Sequence, residues 1–360
     1  MGRATQPLLL PAAIFVATLA SRLPFTTQYL WAWDSVLYAR ALERGFHVGF
    51  DLAEQRPHAP GYILYVAMAG LFRTIVGDSN AALVLVSMVA SAGGAAAIYL
   101  LARRFARTAI ALIVTGAYAA DPLVWVYSEV AYPYTLLAFL SVVLAATFWQ
   151  ARGVLIPSLL FGALAGFRQD LLPLLGPLWL WTFFRPQALR ERPWRERSIA
   201  TLALAAGALV WLIPTTLLSG GLVAYVETVL RQTGSIGETY SVPAHGLDAL
   251  WANFHFTAQA LGWGLFALAP LTSLLAGARL VGWMRAARPL RALGPTQAFF
   301  LVWIGPALAF YVVVHIGEWG YVLSVLPGLY VLVAAGAERL VRATPPALVS
   351  WWRAAAIAVV

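Results

Sequence analysis

The sequence predicts an all-α polytopic membrane protein, a helical bundle of about 10–11 transmembrane helices with juxtamembrane helices in its first external loop. Three observations lead there. Of 360 residues, 61% are hydrophobic and 11% charged, with a mean hydropathy of +0.77, a balance that the surface of a water-soluble domain does not tolerate. The apolar residues come in runs near the roughly 20 residues that cross a hydrocarbon core. The breaks between runs are short and carry the arginines, which leaves one membrane domain over 1–360 and no second domain.

In chain order the runs fall near 8–23, 60–76, 81–101, 109–127, 133–149, 154–167, 171–184, 199–218, 255–277, 297–314 and 321–337. A last run from 346 is too short to cross by Val360 and reads as the start of a helix that continues. The first run follows Arg3 and has no small-residue cleavage site, so it reads as a retained first helix with a cytoplasmic N-terminus. Arginine then decides which runs cross. If every run crossed, the clusters Arg103 to Arg107, Arg185 to Arg197 and Arg279 to Arg291 would face outward, against the positive-inside rule. If 60–76, interrupted by Pro60, Gly61, Gly70 and Arg73, lies along the outer interface instead, all three clusters become cytoplasmic. Most of the 24 arginines are then inside, whereas among the 15 acidic residues only Glu191, Glu196 and Glu338 are. Carboxylates barely influence insertion, so their concentration on the outer face points to function. Two external segments, 24–80 and 219–254, are long enough to hold a site.

Composition closes several routes. There is no cysteine, hence no disulfide and no thiolate metal site. The net charge of +9 comes from arginines in short clusters between apolar runs, a topology signal rather than a nucleic-acid surface. No HExxH spacing marks a zinc site.

The polar residues of the outer turns are the candidates for chemistry. Asp34 starts a short amphipathic stretch in the first loop, where it either caps a helix or serves as a general base; composition leaves both open. His58, in a dense polar patch ending at Pro60-Gly61, reads as a solvated loop residue, a phosphate contact or a metal ligand. Glu129 lies in an apolar, aromatic turn, where a carboxylate is costly unless used or paired. Arg168 and Asp170 share the next outer turn; they either pair with each other or leave the arginine fork for a phosphate. Arg231 stands in the second loop, near Glu238, His245, Asp248 and His255. His315 and Glu318 precede Trp319 at the last outer turn, where tryptophan alone would be an interface anchor. Acids, histidines and arginines gathered on one face of one bundle suit a substrate with an apolar tail and an anionic head.

These turns resemble those of the GT-C superfamily, the membrane glycosyltransferases that include protein O-mannosyltransferases, lipid A aminoarabinose transferases and oligosaccharyltransferases. The resemblance rests on WDSVLYARAL from Trp33, RPHAPGYILYV from Arg56, YSEVAYPYTLL from Tyr127 with GFRQDLLPLLGPLW from Gly166, and HIGEWGYVLSVLPGLY from His315. The bacterial mannosyltransferase-like and lipopolysaccharide-sugar-transferase-like branch is the nearest in character. The resemblance implies a catalytic Asp in the first external loop, matched by Asp34, and a second acid at the next turn, matched by Glu129. It places His58 with Glu129 near the donor sugar or a divalent cation, which Asp34, Glu129 or His58 would hold, and Arg168 or Arg231 toward phosphate. It implies a polyprenyl-phosphate sugar donor, a glycan or glycolipid acceptor and an inverting transfer on the outer face of a bacterial inner membrane. Asp34-Ser35 stands where many protein O-mannosyltransferases carry an acidic pair, which argues against a protein acceptor. A transporter or flippase is the competing reading; it would place charges near the bilayer midplane and show related halves, neither of which the sequence displays.

Overall fold

A computed structural model describes residues 8–50, 56–182, 193–273 and 294–343. The described residues form an all-helical bundle, with the expected last run from 346 lying outside them. Its helices are α1 (Leu9–Arg22), α2 (Trp33–Arg44), α3 (Ile63–Val76), α4 (Ser79–Ala102), α5 (Thr108–Ala119), α6 (Pro122–Ser128), α7 (Tyr134–Gln150), α8 (Leu155–Leu164), α9 (Leu171–Thr182), α10 (Pro193–Leu218), α11 (Leu222–Tyr240), α12 (Val242–Gly264), α13 (Pro295–Val313) and α14 (Leu326–Ala343).

Three described helices are long and apolar enough to cross a membrane alone: Ser79–Ala102, Trp194–Leu218 and Pro295–Val313. Several others, α1, α3, α7, α8 and α9 among them, are shorter apolar helices. The run expected at 109–127 is broken: α5 and α6 meet at 57°. Asp121 causes the break. Its Oδ1 accepts from the backbone N–H of Leu123 and Val124, at 3.0 and 3.3 Å, and Pro122 takes the first helical position, so a new helix is capped there. The segment 219–254, expected to be a loop, is instead helical as α11 and the first half of α12. Tyr225 is the one buried residue of α11, packing on Val48 and Ala59, so the helix pays out most of its surface to lipid or solvent.

The bundle has two chemically distinct ends. At one, Glu338 near the end of α14 accepts from the Arg107 backbone N–H and guanidinium at 2.9–3.0 Å and from Arg342 Nε at 2.8 Å, while Arg104 donates to Gln150 at 2.9 Å. At the other, Thr27 donates through N–H and Oγ1 to the Glu129 carbonyl, Asn80 donates to the Thr27 carbonyl, and Ser35 Oγ donates to the Ala131 carbonyl. All the arginines of the first end belong to segments read as cytoplasmic from charge.

α3 does not traverse the bundle. Thr135 Oγ1 donates to the Ser87 carbonyl at 2.9 Å, so α7 begins level with Ser87, two turns into α4. The start of α3 lies at that same level: the Leu64 N–H donates to the Gly166 carbonyl, and Tyr62 sits beside the guanidinium of Arg168. Its far end returns to α2, with Arg73 donating to the Leu42 carbonyl and Ser79 to Glu43. α3 thus flanks the first turns of α4, from the Ser87 level, where α7 begins, back to α2.

Close packing comes from small residues and satisfied polar groups. α8 and α10 meet through glycine: a Cβ at Gly162 or Gly207 would collide with the carbonyl oxygens of Leu204 and Leu159 respectively, and Trp211 Nε1 donates to the Gly162 carbonyl at 2.8 Å. In the centre, Trp303 Nε1 donates to Ser141 Oγ at 2.9 Å, and Ser141 Oγ donates to the Ser324 carbonyl at 2.6 Å. Leucine and isoleucine on α10 at Leu202, Leu209, Ile213 and Leu217 face outward, as a lipid-facing helix requires.

Candidate active site

The polar turns of the end opposite Glu338 meet around Arg168. The residue sits just after α8, in the turn Gly166 to Asp170, and its side chain is 2% exposed. Nε donates to Asp170 Oδ2 at 2.8 Å, and the guanidinium lies over the rings of Tyr134, Tyr321 and Tyr62 at 4.4, 5.0 and 5.3 Å. Burial opposes the charge, but Asp170 and the surrounding tyrosines outweigh it, so Arg168 stays cationic. Three elements supply the cage: Tyr62 precedes α3, Tyr134 begins α7, and Tyr321 lies in a short 3-10 turn, Trp319–Ser324, before α14. Arg168 and Asp170 are paired, in a setting more enclosed than a headgroup-level ion pair. Asp170 Oδ1 and both polar atoms of the Gln169 side chain are buried without hydrogen-bond partners.

Tyr62 reaches Arg168 through an unusual backbone. Gly61 has φ +102°, where a Cβ would also strike Val48, and Tyr62 follows at φ +49°. The Tyr225 hydroxyl donates to the Pro60 carbonyl at 3.1 Å, and Val48 N–H donates to Ser219 Oγ at 3.1 Å. The first loop is thereby pinned by α11 and by the turn after α10.

Asp34 lies in the first turn of α2, whose N-cap is Ala32, and forms no cap bond; the bland capping role is therefore not its role. His58 Nε2 is 3.8 Å from Asp34 Oδ1, longer than a hydrogen bond, with both side chains about a third exposed. His58 is half-buried rather than a freely solvated loop residue, and its Nδ1 has no partner. Burial pushes the Asp34 carboxyl above the usual carboxylate range, opposed by the positive influence of His58 and then of Arg168. Glu318 joins this field: burial raises its carboxyl, Tyr127 donates to it at 3.3 Å, and the Asp34 charge raises it further.

Other candidates stand apart. The Glu129 carboxylate lies in the field of Arg22 of α1, which sits over Trp125 at 3.8 Å and donates to the Ala119 carbonyl; burial raises Glu129, and Arg22 and then a hydrogen bond from Trp125 oppose the rise. Its backbone, however, borders the site, because Ser35 beside Asp34 bonds the next-but-one carbonyl, that of Ala131. His315 packs against Tyr240 and Tyr321, with ring centroids at 4.7 and 5.9 Å. Arg231 is exposed on α11 and makes no hydrogen bond or ion pair among the described residues. No three His, Asp or Glu side chains gather to hold a metal ion among the described residues. Of the residues considered for a divalent cation, Asp34 and His58 face each other, while Glu129 turns to Arg22.

Sequence reasoning missed the tyrosine shell and the Arg22 partner of Glu129. Tyr127, Tyr132, Tyr134 and Tyr321 pack ring on ring at 5.0–6.1 Å. The density of tyrosine in YSEVAYPYT was the available signal.

No family model and no curated protein matches the chain. Solved structures do. ArnT from Cupriavidus metallidurans bound to undecaprenyl phosphate superposes with a TM-score of 0.59 over 97% of this chain at 16% identity. The apo state of the same protein superposes at 0.56 over 98% at 14% identity. The chain has the GT-C fold. It spans 62% of the length of the ArnT chain. Within this GT-C bundle, Asp34, His58, Arg168, Asp170 and Glu318 share the end that the first loop covers.

Proposed function

We propose that the protein is an inverting glycosyltransferase that moves a sugar from a polyprenyl-phosphate donor to a glycan, glycolipid or other small acceptor on the extracytoplasmic face of a bacterial inner membrane. The observation that carries this reading is the half-buried Asp34 carboxylate beside His58 and in the field of the enclosed Arg168 cation. A group that must accept a proton gains from a raised proton affinity, and Asp34 has one while water can still reach it. The acceptor hydroxyl attacks the anomeric carbon from the face opposite the phosphate, its proton passes to Asp34, and the bond from anomeric carbon to phosphate oxygen breaks. Polyprenyl phosphate leaves with the electron pair, and the configuration inverts. His58 and Arg168 supply positive potential for the phosphate that departs. Arg168 acts through field and through the tyrosines it orders, since its own surface is nearly closed. The Glu129 backbone, whose carbonyl accepts from Thr27, belongs to the turn on which α2 rests. Whether the sugar is a pentose or a hexose is decided by contacts with the donor ring. The fold shared with a protein that binds undecaprenyl phosphate supports the donor class.

The test uses purified full-length protein in detergent with undecaprenyl-phosphate-linked pentose and hexose donors, following release of undecaprenyl phosphate. Asp34→Asn is expected to lose at least about 100-fold in rate, the scale of a general base, while still binding undecaprenyl phosphate. Turnover equal to wild type in that variant, or no turnover and no undecaprenyl phosphate binding by the wild type, overturns the reading.

A further inference from the structure

A groove of about 910 Å³ opens at the arginine-rich end, far from the Arg168 cluster, between α4, α7, α8 and α10. Its body is apolar, with Ala97 and Leu100 of α4, Val143 and Ala146 of α7, and Leu155 and Ile156 at the start of α8. Leu100, Leu155 and Ile156 are 50, 55 and 65% exposed, so the groove is open at the side, where a bilayer would meet it. Its polar mouth carries Arg104, Arg152 and Gln150 against a single acid, Glu196. Arg104 donates to Gln150 Oε1 at 2.9 Å, which holds it over the mouth with donors to spare. Arg195 and Arg197 flank Glu196 in sequence on α10, so the local balance is cationic. α8 begins in the groove with no side-chain cap and no acid in its first turn, which adds the positive end of a helix to the same mouth.

An apolar slot open to the membrane side, closed at one end by two arginines, matches acyl chains joined to an anionic headgroup. We propose that this groove is a binding site for an anionic phospholipid of the leaflet at the arginine-rich end, with Arg104 and Arg152 on the phosphate. It is separate from the proposed transfer site and does not depend on the transferase reading. The occupant is a structural lipid rather than the donor, because no catalytic group borders the groove. Thr147 and Gln150 are its only uncharged polar side chains, and Thr147 Oγ1 is already engaged by the Val143 carbonyl at 2.8 Å.

The test is native mass spectrometry of the purified full-length chain, delipidated and then offered equimolar phosphatidylglycerol and phosphatidylcholine. The wild type is expected to retain phosphatidylglycerol preferentially. Arg104→Gln and Arg152→Gln are each expected to weaken that retention about fivefold, the effect of one basic residue near an anionic lipid, and the double variant to erase the preference. Leu100→Trp, at a half-exposed position, fills the slot and is expected to displace both lipids. Equal retention of the two lipids by the wild type overturns the proposal, as does a double variant that keeps the full preference or a Leu100→Trp protein that binds as the wild type does.

Discussion

Replacing Arg168 by Gln removes the cation at the centre of the site and leaves Asp170 without its partner. Asp170 Oδ2 loses the 2.8 Å bond from Nε, and Oδ1 has no partner to begin with. The Asp170 side chain is only 21% exposed, so water compensates at one edge. An uncompensated buried charge costs about 3–5 kcal/mol, and the residual exposure puts this case near about 3. The guanidinium also leaves the Tyr134 face at 4.4 Å and the more distant rings of Tyr321 and Tyr62, a further loss of about 1 kcal/mol. Arg168→Gln is therefore expected to lower unfolding stability by about 4 kcal/mol. Adding Asp170→Asn removes the stranded charge and should recover about 2–3 kcal/mol of it. The assay is a double-mutant cycle in mixed micelles, unfolding each variant with SDS and following tryptophan fluorescence. A single variant that loses less than about 1 kcal/mol, or a double variant no more stable than Arg168→Gln, refutes the account of Arg168 as a buried cation compensated chiefly by Asp170.

Four further outcomes are expected. The rate should rise with pH through the raised folded-state pKa of Asp34, since the ionised form is the base; His58 pulls that pKa down, so His58→Ala should move the acid limb to higher pH, and an unchanged limb argues against their coupling. The same shift has a stability sign: Asp34 holds its proton more tightly in the fold, so its contribution is present at low pH and lost as pH rises through the folded pKa, and Asp34→Asn should remove that slope from unfolding curves. Gly162→Ala should cost about 1–3 kcal/mol in SDS unfolding because its Cβ meets the Leu204 carbonyl, and a neutral effect would mean that α8 and α10 can part freely. Cysteine placed at exposed Tyr29 and Arg152 in this cysteine-free chain should react with impermeant maleimide from opposite faces of sealed membranes, Tyr29→Cys from outside; the reverse pattern sinks the sidedness.

Legibility in the sequence tracks how local the physical cause is. Membrane residence follows from composition, because it is a sum over the whole chain and survives local error. The break at Asp121 was also local, an N-cap residue followed by Pro at the first helical position, but it lay inside an apolar run whose length alone invited a single crossing. The close approach of α8 and α10 had a signal too, Gly162 and Gly166 four apart in an apolar run. The surroundings of Glu129 had none, since the cation nearest in influence, Arg22, sits in another helix and nothing near either residue points to the other. Helical content in 219–254 had a local signal as well, the amphipathic spacing of Leu222, Val226, Val229 and Leu230, but the polar residues of the same segment suit a loop equally.

The tyrosine cage shows why a site can be visible in parts and unreadable as a whole. Tyrosine and tryptophan are expected at membrane interfaces, so their density near residue 130 carried little weight. What makes Tyr62, Tyr134 and Tyr321 a site is that three turns distant in sequence place their rings on one guanidinium. The enclosed cation then sets the conditions for Asp34. Burial by itself raises the carboxyl, and an isolated carboxyl at that depth would tend toward its neutral form. The positive potential of His58 and Arg168 holds it nearer ionisation without a hydrogen bond that would tie up its oxygens. A carboxylate kept charged at a distance remains free to take a proton, which a carboxylate in a bidentate pair, such as Glu338 at the other end, is not.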